Sequence, residues 1–366
     1  MTAHLPLLQI SKNMRKLATI QTISAIEPIT NADSIELARI LGWAVVVKRG
    51  EYRVGDKIIY CEIDSLLPER SEFEFLRSNC FKPAQIDATG RIAVPAGFRI
   101  RTIKLRGQYS QGICFPVSLV PNGDHLPLGT EVTAELGIVK WEPPIPAGMV
   151  GKIKGPFPSF VPKTDETRVQ LLADALERHK GKELIVTEKL DGSSFTAFHY
   201  QSQFGICSRN QWIDEMDGTS KYVAIAESFH LREKLAEMSK QLGFDLAVQG
   251  EMIGPGIQGN KYRLEFVTLR IFNVVNLTTG MLLDFDQMQE VIKSLGLVAV
   301  PFLEKVTLNH SIDELIKLAE GKSVLNSSTL REGIVLRPIS ETFEPDTGGR
   351  LSFKAINPAF LVKYDE

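Results

Sequence analysis

The chain has 366 residues, of which 42 are Lys or Arg and 44 are Asp or Glu; its formal net charge is -2 and 43% of its residues are hydrophobic. This composition excludes a disordered or collagen-like chain, and the balance of charge excludes a bulk polycation of the histone kind. The length favours two domains, so any nucleic-acid site must be a local basic surface.

The four cysteines are scattered and form no CxxC pair. This spacing argues against a zinc ribbon and a disulfide framework, and reduced cysteines are typical of the cytoplasm. The N-terminal sequence lacks the unbroken apolar run of a signal peptide, and no stretch reaches the roughly 18 apolar residues of a membrane span. We therefore expect a soluble, cytoplasmic protein without a membrane partner. The sequence does not determine the oligomeric state, and a monomer is the expectation.

Residues 17–139 read as short strands separated by turns, for example Ala44 to Lys48 and Lys57 to Ile63. Many short strands in so few residues predict a small β-barrel of the OB type over residues 1–145. Phe98 to Arg106 alternates apolar and basic residues, with a shift of register that predicts a bulged strand. Its basic side chains would form a nucleic-acid surface made of Arg99, Arg101, Lys104 and Arg106. The alternative is a solvated strand face.

A proline-rich segment follows the predicted barrel. Prolines stand at 143, 144, 146, 156, 158 and 162, which disfavours a regular helix or a central strand. We therefore predict a linker over residues 146–162.

The remaining residues, 163–366, read as an α+β domain. Thr164 and Asp165 could cap a helix that ends at Gly181, and a second helix is predicted from Thr219 to Gly243. Strands are predicted at 184–189, 195–200, 204–207, 246–252, 268–275, 333–337 and 351–354. Because regular crossover helices do not separate these strands, the sheet should be largely antiparallel.

The sequence TEKLDGSS ends the first of these strands and contains Lys189 and Asp191. Side chains alternate along a strand, so this lysine and this carboxylate project from the same side, and Gly192 permits a tight turn after them. A lysine is a nucleophile only when its amine is neutral, which requires its pKa to be lowered by burial, a cation or a metal. Alone, the pattern is equally compatible with a β-turn that carries a solvated lysine.

The order of the downstream segments is more informative. KLDG at 189–192 is followed by SRN at 208–210, GE at 250–251, FNV at 272–274, EGIV at 332–335 and SFKAINPAFLVKY at 352–364. This order resembles the motifs of the covalent nucleotidyltransferase superfamily, and within it the ATP-dependent RNA ligases. NADSIELARILGW at 31–43 and IKLRGQYSQGICFP at 103–116 resemble the OB module of the branch in which that domain comes first. The resemblance implies an antiparallel-sheet nucleotidyltransferase domain, an ATP-grasp-like ligase domain, over residues 163–366.

The resemblance also implies a mechanism and roles for residues. Lys189 would attack the α-phosphorus of ATP and hold AMP, and RNA with a 3′-hydroxyl and a 5′-phosphate would be joined through an RNA-adenylate. Nicked duplexes or broken RNA ends would be the substrate partner, with Mg²⁺ or Mn²⁺ as the metal. Lys354 would share in catalysis. The nucleotide would be bound by Glu188, Arg168, Arg209, Glu251, Phe272, Glu332, Lys354 and Lys363, and the metal by Asp191, Glu251 and Glu332.

Each of these residues has a plainer interpretation. Phe272 could be a core residue, Arg168 a solvated residue in the first turn of a helix, and Arg209 a surface cation. Many family members carry two lysines two apart in the last motif, whereas this chain has Ser352 at the first position and Lys354 at the second. Arg350, two residues earlier, could supply the missing charge.

Two other functions stay open on the sequence. A DNA ligase or a capping-type nucleotidyltransferase would share the first chemical step and differ in its acceptor. A non-catalytic RNA-binding protein with a degenerate ligase domain would lack that step. The N-terminal position of the predicted barrel favours RNA ligation, because capping enzymes of the resembled superfamily carry the OB domain after the catalytic one.

Overall fold

The computed structural model describes residues 15–86, 91–142 and 147–364. These residues divide into two compact units. The N-terminal unit contains residues 15–86, 92–142 and 343–350, and the C-terminal unit contains residue 91, residues 147–342 and residues 351–364. Both units contain extended antiparallel pairing, as the alternating sequence pattern predicts.

The N-terminal unit consists of short strands around one apolar core. Three three- or four-stranded sheets form, in the orders β1-β5-β13, β2-β3-β4 and β14-β6-β10-β7, and β8-β9 and β11-β12 pair separately. Inward-facing residues such as Ile20, Ile59, Phe98 and Phe115 build the core. The strands are β1 Ala18–Thr22, β2 Ala25–Pro28, β3 Ile35–Ile40, β4 Trp43–Lys48, β5 Lys57–Cys61, β6 Ser65–Leu67, β7 Phe81–Lys82, β8 Gln85–Ile86, β9 Ile92–Val94, β10 Gly97–Arg99, β11 Thr102–Leu105, β12 Gln108–Gln111, β13 Ile113–Pro116 and β14 Val139–Lys140, with one short helix, α1 Arg77–Cys80.

The basic segment of this unit differs from its prediction. Instead of one bulged strand, it forms β10 and β11, which belong to different sheets. Arg99 is buried, with its guanidinium 3.9 Å from an oxygen of Asp64 and 5.5 Å from the ring centroid of Trp141. Arg99 therefore does not lie on an exposed basic face. Lys104 and Arg106 are exposed on the β11–β12 hairpin, and Arg101 directly precedes it.

The C-terminal unit contains two sheets. One has seven strands in the order β15-β20-β19-β18-β21-β22-β23, and the other has five in the order β16-β26-β25-β17-β24. The pairing is antiparallel except between β16 and β26. The strands are β15 Ile153–Pro156, β16 Thr167–Arg168, β17 Glu183–Lys189, β18 Ser193–Tyr200, β19 Gln203–Cys207, β20 Gln211–Ile213, β21 Leu246–Ile253, β22 Thr268–Asn276, β23 Met281–Leu282, β24 Phe302–Thr307, β25 Gly333–Pro338 and β26 Phe353–Ile356. The helices are α2 Ala147–Val150, α3 Ala173–Arg178, α4 Lys221–Ser228, α5 Leu231–Leu242, α6 Phe285–Ser294, α7 Ile312–Ala319 and α8 Pro358–Tyr364.

The segment predicted as a linker has structure of its own. Within it, β15 pairs with β20 at the edge of the seven-stranded sheet, and Phe160 stacks on Tyr200 with ring centroids 4.3 Å apart. An edge strand tolerates proline because one side of it needs no ladder hydrogen bonds. From residue 147 onward, the proline-rich segment is thus packed as part of the C-terminal unit.

Two predicted helices also differ from the structure. The chain after Thr164 first forms the short parallel strand β16, and a helix begins only at Ala173. Arg168 is consequently a buried strand residue. The predicted helix from Thr219 to Gly243 is divided into α4 and α5 by His230, whose φ of 54° is left-handed. A left-handed residue interrupts the hydrogen-bond ladder of an α-helix, so the two segments follow different axes.

Candidate active site

Several basic residues, among them Lys189, Arg168 and Lys354, lie on one face of the five-stranded sheet. Arg168 is opposite Lys354, Lys354 is opposite Val335, and Val335 is opposite Thr187. Directly opposite residues share a face, and residues two apart along a strand return to it, so Lys189 belongs to the same face. The opposite face carries buried residues such as Leu336 and Phe353 and forms a hydrophobic core. The fold therefore brings the predicted nucleophile and two predicted cations onto one surface.

Lys189 at the end of β17 is surrounded by carboxylates. Its Nζ is 2.5 Å from Oε1 of Glu332, a residue that directly precedes Gly333, the strand partner of Lys189. Burial lowers the pKa of Lys189, but the charges of Glu332, Glu251 and Asp191 raise it by more, so the pKa lies above its ordinary value. The amine is thus protonated at neutral pH in the absence of other ligands. The lowered pKa that nucleophilic attack requires must come from a change in this environment.

Glu251 approaches from the seven-stranded sheet. It lies on β21 opposite Ser194, close to the turn that follows Lys189. Burial raises the pKa of Glu251 to about 8, against the opposing effect of Lys189 and with further contributions from Glu332 and Asp191. Burial is thus the main cause of the raised pKa of Glu251, and the neighbouring carboxylates add to it.

Asp191 is held by two neighbours that the sequence motifs do not include. Its carboxylate forms an ion pair with Lys261, and its backbone N–H donates to the hydroxyl of Tyr262 at 2.7 Å. The Lys261 ammonium also lies 5.4 Å from the ring centroid of Phe360 and 4.9 Å from that of Tyr364. Lys261 and Tyr262 therefore fix the turn after β17 through both the side chain and the backbone of Asp191.

Asp191, Glu251 and Glu332 are the carboxylates available to a divalent metal. Among the described residues, no three His, Cys, Asp or Glu side chains already converge as a metal site. However, Asp191 and Glu332 are each held by a lysine, and Oε2 of Glu332 is buried without a hydrogen-bond partner. Carboxylate oxygens are the donors that Mg²⁺ and Mn²⁺ prefer. Asp191, Glu251 and Glu332 therefore fit a divalent metal chemically, provided that the lysines release their carboxylates.

Phe272 lies at an irregularity in the sheet. Gln249 pairs with Asn273 and Gly250 pairs with Ile271, so Phe272 is the extra residue of a β-bulge between β21 and β22. A bulge redirects a side chain relative to a regular strand. The half-buried Phe272 ring packs against a hydrophobic cluster of Leu190, Ile253, Tyr262 and Val300. The cluster includes Leu190, the residue that follows Lys189 in the chain.

The other predicted nucleotide-binding residues lie at different points. Glu188 faces away from Lys189 and is buried, its Oε2 accepts from the Val324 N–H at 2.8 Å, and burial raises its pKa. The half-exposed Arg209 forms an ion pair with Asp165. Lys363 is exposed on α8, with its ammonium 5.0 Å from the ring centroid of Tyr364. Among the described residues, no hydrogen bond joins Glu188, Arg209 or Lys363 to Lys189.

Ser352 stands where many family members carry the first lysine of the last motif, and Arg350 was predicted to supply the missing charge. Ser352 is buried directly before β26, and its Oγ has no hydrogen-bond partner. Arg350 lies in a bend before that strand, so the strand face predicted to be shared by Arg350 and Ser352 is not formed. Of the cations predicted for the site, Arg168 and Lys354 lie on the face of Lys189.

Sequence reasoning missed Lys261, Tyr262 and Arg337. Lys261 and Tyr262 follow the glycine-rich turn at 254–256, where no local pattern indicated a contact with Asp191. Arg337 reads as the end of an ordinary strand, although an arginine within an apolar run was a signal that it needs a buried partner.

Known proteins resemble both parts of the chain. An OB-fold domain model matches residues 17–117, and an RNA ligase model matches residues 182–356. Among solved structures, Naegleria gruberi RNA ligase with PPi is 36% identical, with 96% of this chain and 99% of that chain covered and a TM-score of 0.84. A lysine-to-alanine mutant of that ligase with ATP and Mn is 36% identical, with 95% and 99% covered and a TM-score of 0.83. A glutamate-to-alanine mutant of that ligase with AMP and Mn is also 36% identical, with 95% of this chain and 99% of that chain covered and a TM-score of 0.84.

Among curated proteins, no significant match was found. The structural matches nevertheless extend over nearly the whole chain, so they include both units. The predicted α+β fold class, with an N-terminal OB domain followed by an antiparallel-sheet ligase domain, is confirmed. No helix among the described residues is long and apolar enough to cross a membrane.

Proposed function

The chain belongs to the RNA ligase family, and from this we propose that it joins a 3′-hydroxyl and a 5′-phosphate of RNA at the expense of ATP. Three reactions make up the proposal. Lys189 forms a bond from Nζ to the α-phosphorus of ATP as the bond to the β-phosphate oxygen breaks and pyrophosphate leaves. The RNA 5′-phosphate then takes AMP from Lys189, and the 3′-hydroxyl finally displaces AMP.

The observation that carries this proposal is the position of Lys189 against Glu332. An amine attacks only as the free base, so the ammonium must lose a proton first. Glu332 Oε1, at 2.5 Å, is the acceptor nearest to that proton. A divalent metal supplies positive charge that offsets the carboxylates and the triphosphate and so favours the neutral amine. Asp191, Glu251 and Glu332 would hold that metal, and the relatives solved with ATP and Mn support it.

Cations on the same sheet face suit the phosphates. Arg168 and Lys354 lie side by side on β16 and β26, and the lysine is two strands from Lys189. We assign both to the phosphates of ATP, since fixed positive charge stabilises the charge that develops on a transferring phosphoryl group. Arg209 and Lys363 are more exposed than Arg168. They would bind the leaving pyrophosphate or the RNA phosphate after their present contacts rearrange.

Phe272 and Glu188 are assigned to the adenine. The bulge that redirects Phe272 and its packing against the cluster that contains Leu190 support stacking of its ring on the base. Glu188 precedes the nucleophile, but its backbone N–H already donates to the Pro301 carbonyl at 2.9 Å. Of its backbone groups, the carbonyl is therefore the one assigned to the base.

The β11–β12 hairpin is assigned to the RNA backbone. Arg101, Lys104 and Arg106 lie on or beside it, and Arg106 and Gly107 form its turn with φ values of 47° and 86°. The Lys104 ammonium lies 5.0 Å from the ring centroid of Tyr109, so a base could stack where a cation is also available. Arg99 is removed from this assignment because it is buried.

We also propose a cell compartment and an oligomeric state for the chain. The free thiols at Cys61, Cys80, Cys114 and Cys207 support a reducing compartment such as the cytoplasm. A monomer is proposed because the family's chemistry can be assembled from residues of a single chain. Light scattering at several protein concentrations tests the monomer, and a constant mass of 40.7 kDa is expected.

The first reaction is tested with α-labelled ATP and Mg²⁺ or Mn²⁺. Wild-type protein should acquire a covalent label that is lost in Lys189→Ala and in EDTA. Lys305→Ala removes an exposed lysine from β24 of the same sheet and should label normally. An unlabelled wild type, or equal label on Lys189→Ala, would support the non-catalytic RNA-binding alternative.

The acceptor is tested on labelled enzyme with nicked duplexes. Sealing should need ribonucleotides at the 3′-hydroxyl side of the nick. Equal sealing of an all-DNA nick would support the DNA ligase alternative, and transfer of a nucleotide to an RNA diphosphate end without sealing would support the capping alternative. A matched panel of single-stranded and duplex RNA ends then identifies the preferred substrate.

A further inference from the structure

Arg337 on β25 is a buried arginine with three partners on two separate segments. Nη1 donates to Oδ1 of Asn273 at 3.0 Å and to the backbone carbonyl of Phe272, and Nη2 contacts Oε1 of Glu166 at 3.2 Å. Arg337 is 8% exposed, and its guanidinium carbon lies 5.8 Å from the ring centroid of Phe272. An arginine is seldom buried unless it is paired, and these bonds of Nη1 and Nη2 provide that pairing.

The contacts continue beyond the arginine. Asn273 Nδ2 donates to Gln249 Oε1 at 2.9 Å, and Gln249 Nε2 donates to the carbonyl of Pro162 at 2.7 Å. Gln249 and Asn273 are both buried. We call Arg337, Glu166, Asn273 and Gln249 the arginine network. It links the five-stranded sheet through β25, the seven-stranded sheet through β21 and β22, and the chain segment 162–166.

The arginine network holds two elements that carry proposed nucleotide contacts. Its bond to the Phe272 carbonyl is made at the bulged residue, where regular ladder pairing is interrupted. Its ion pair with Glu166 fixes the residue two positions before Arg168, just ahead of β16. Because Leu336 pairs with Phe353, Arg337 also lies at the sheet position next to Ser352, where the family's usual lysine is absent.

We propose that Arg337 is a positioning residue that sets the distance between the adenine-stacking ring of Phe272 and the phosphate-binding guanidinium of Arg168. This inference rests on the proposed function, because it assigns both ends to one nucleotide. A lysine at 337 could keep the charge beside Glu166 but could not make the two divergent bonds of Nη1 and Nη2. The planar fork of arginine is what allows one side chain to hold both segments.

The test compares the kinetics of labelling by α-labelled ATP. Loss of the network in Arg337→Met should raise the KM for ATP and lower kcat/KM about 100-fold, the effect of a displacement of roughly 1 Å in an active site. Arg337→Lys should recover part of the loss, and Glu166→Gln should raise the KM less than Arg337→Met does. The combined effect of Glu166→Gln and Arg337→Met should be smaller than the product of the single effects, because both act through one contact.

Folding is controlled in two ways. The double variant Arg337→Met with Glu166→Gln leaves no unpaired buried charge, and Arg337→Lys retains the ion pair, so both should keep their melting temperature. Arg232→Met removes another arginine that lies over a phenylalanine ring, 4.6 Å from the centroid of Phe204, and should label normally. A folded Arg337→Lys or double variant with the wild-type KM for ATP would overturn the positioning role while the labelled wild type upholds the proposed ligase. An unlabelled wild type would overturn both.

Discussion

Phe272 is the residue through which the adenine contact can be measured separately from the phosphate chemistry. Stacking of an aromatic ring on a base contributes about 1 to 3 kcal/mol, so Phe272→Ala should raise the KM for ATP roughly 10- to 100-fold. The limiting rate of Lys189 labelling should change less, because the ring does not contact the reacting phosphorus. Phe272→Tyr retains a stacking surface and should stay near wild type.

Steady-state labelling over a range of ATP concentrations provides the measurement. Phe266→Ala is the matched control, since Phe266 is 78% exposed and takes no part in the proposed site. An unchanged KM in a folded Phe272→Ala protein would return Phe272 to the plainer interpretation of a core residue.

Individual site residues were predictable from sequence to different degrees. Lys189 and Asp191 could be found because the chemistry is local: alternation along one strand puts amine and carboxylate on the same side. Their pairing with Glu332 and Lys261 could not be found, because those residues are separated from the motif by 143 and 70 positions in the chain. The direction of the Lys189 pKa shift depends on Glu332 and Glu251, which are both distant in the chain, so it too had to come from the structure.

At the scale of an element, the turn between β17 and β18 has no room for a side chain at Gly192. A Cβ on Gly192 would lie 2.4 Å from the carbonyl oxygen of Met252 and 2.7 Å from a side-chain carbon of Ile253. Gly192→Ala must therefore push the turn away from β21 and displace Lys189 and Asp191. We expect labelling by ATP to fall by about 100-fold, the cost of roughly 1 Å of misplacement, together with a lower melting temperature.

Gly218→Ala provides the control for this clash, because a Cβ at Gly218 meets no atom within 4 Å. It should retain wild-type labelling and melting temperature. Normal labelling by Gly192→Ala would show that the turn can move without consequence for the nucleophile.

The start of α7 gives a prediction about pH. Ser311 and Glu314 form a capping box, in which Ser311 Oγ accepts from the Glu314 N–H and the Glu314 carboxylate accepts from the Ser311 N–H at 2.7 Å. These bonds from Ser311 lower the pKa of Glu314. A carboxyl with a lowered pKa in the folded state stabilises that state above its unfolded pKa, and the contribution is lost as pH falls through the folded pKa.

Hydrogen exchange of α7 amides measures this local effect. In Glu314→Gln, exchange should be faster than in wild type at pH 7, and the difference should close as the pH is lowered below the ordinary glutamate range. Amides of α6 act as the internal reference. An equally large difference at low pH would mean that the ionised carboxylate is not what stabilises the cap.

At the scale of elements, strands were more predictable than helices. The strands β17, β19 and β21 follow apolar runs bounded by turn residues, and their predicted ends lie within one residue of the observed ones. The helix predicted from Thr164 failed because pairing of Thr167 and Arg168 with β26, a partner nearly 190 residues away, overrides the local cap signal. The bulge at Phe272 depends on cross-strand register, which a single sequence does not specify.

At the scale of the whole molecule, the near-zero net charge reflects paired opposite charges. The site uses Lys189 with Glu332 and Lys261 with Asp191, so its cations and carboxylates largely cancel in the total. The exposed cations of the β11–β12 hairpin, Lys104 and Arg106, have no such carboxylate partner in any ion pair found among the described residues. A neutral chain can therefore still present a local basic surface to RNA.

This distribution of charge predicts how RNA binding depends on salt. Each cation that neutralises a phosphate contributes about 0.7 to 0.9 to the slope of log affinity against log salt concentration. The double variant Lys104→Ala with Arg106→Ala should thus lower the magnitude of that slope by about 1.4 to 1.8 and weaken binding most at low salt. The ATP-dependent labelling of Lys189 should stay unchanged, because the hairpin and Lys189 belong to different units of the chain.

Fluorescence anisotropy of a labelled nicked duplex from low to moderate salt measures the slope, with Lys240→Ala on α5 as the control for removal of an exposed lysine elsewhere. A slope equal to that of wild type would place the phosphate contacts on another surface, whereas a loss of affinity that is the same at every salt concentration would indicate that the hairpin acts through shape instead of charge.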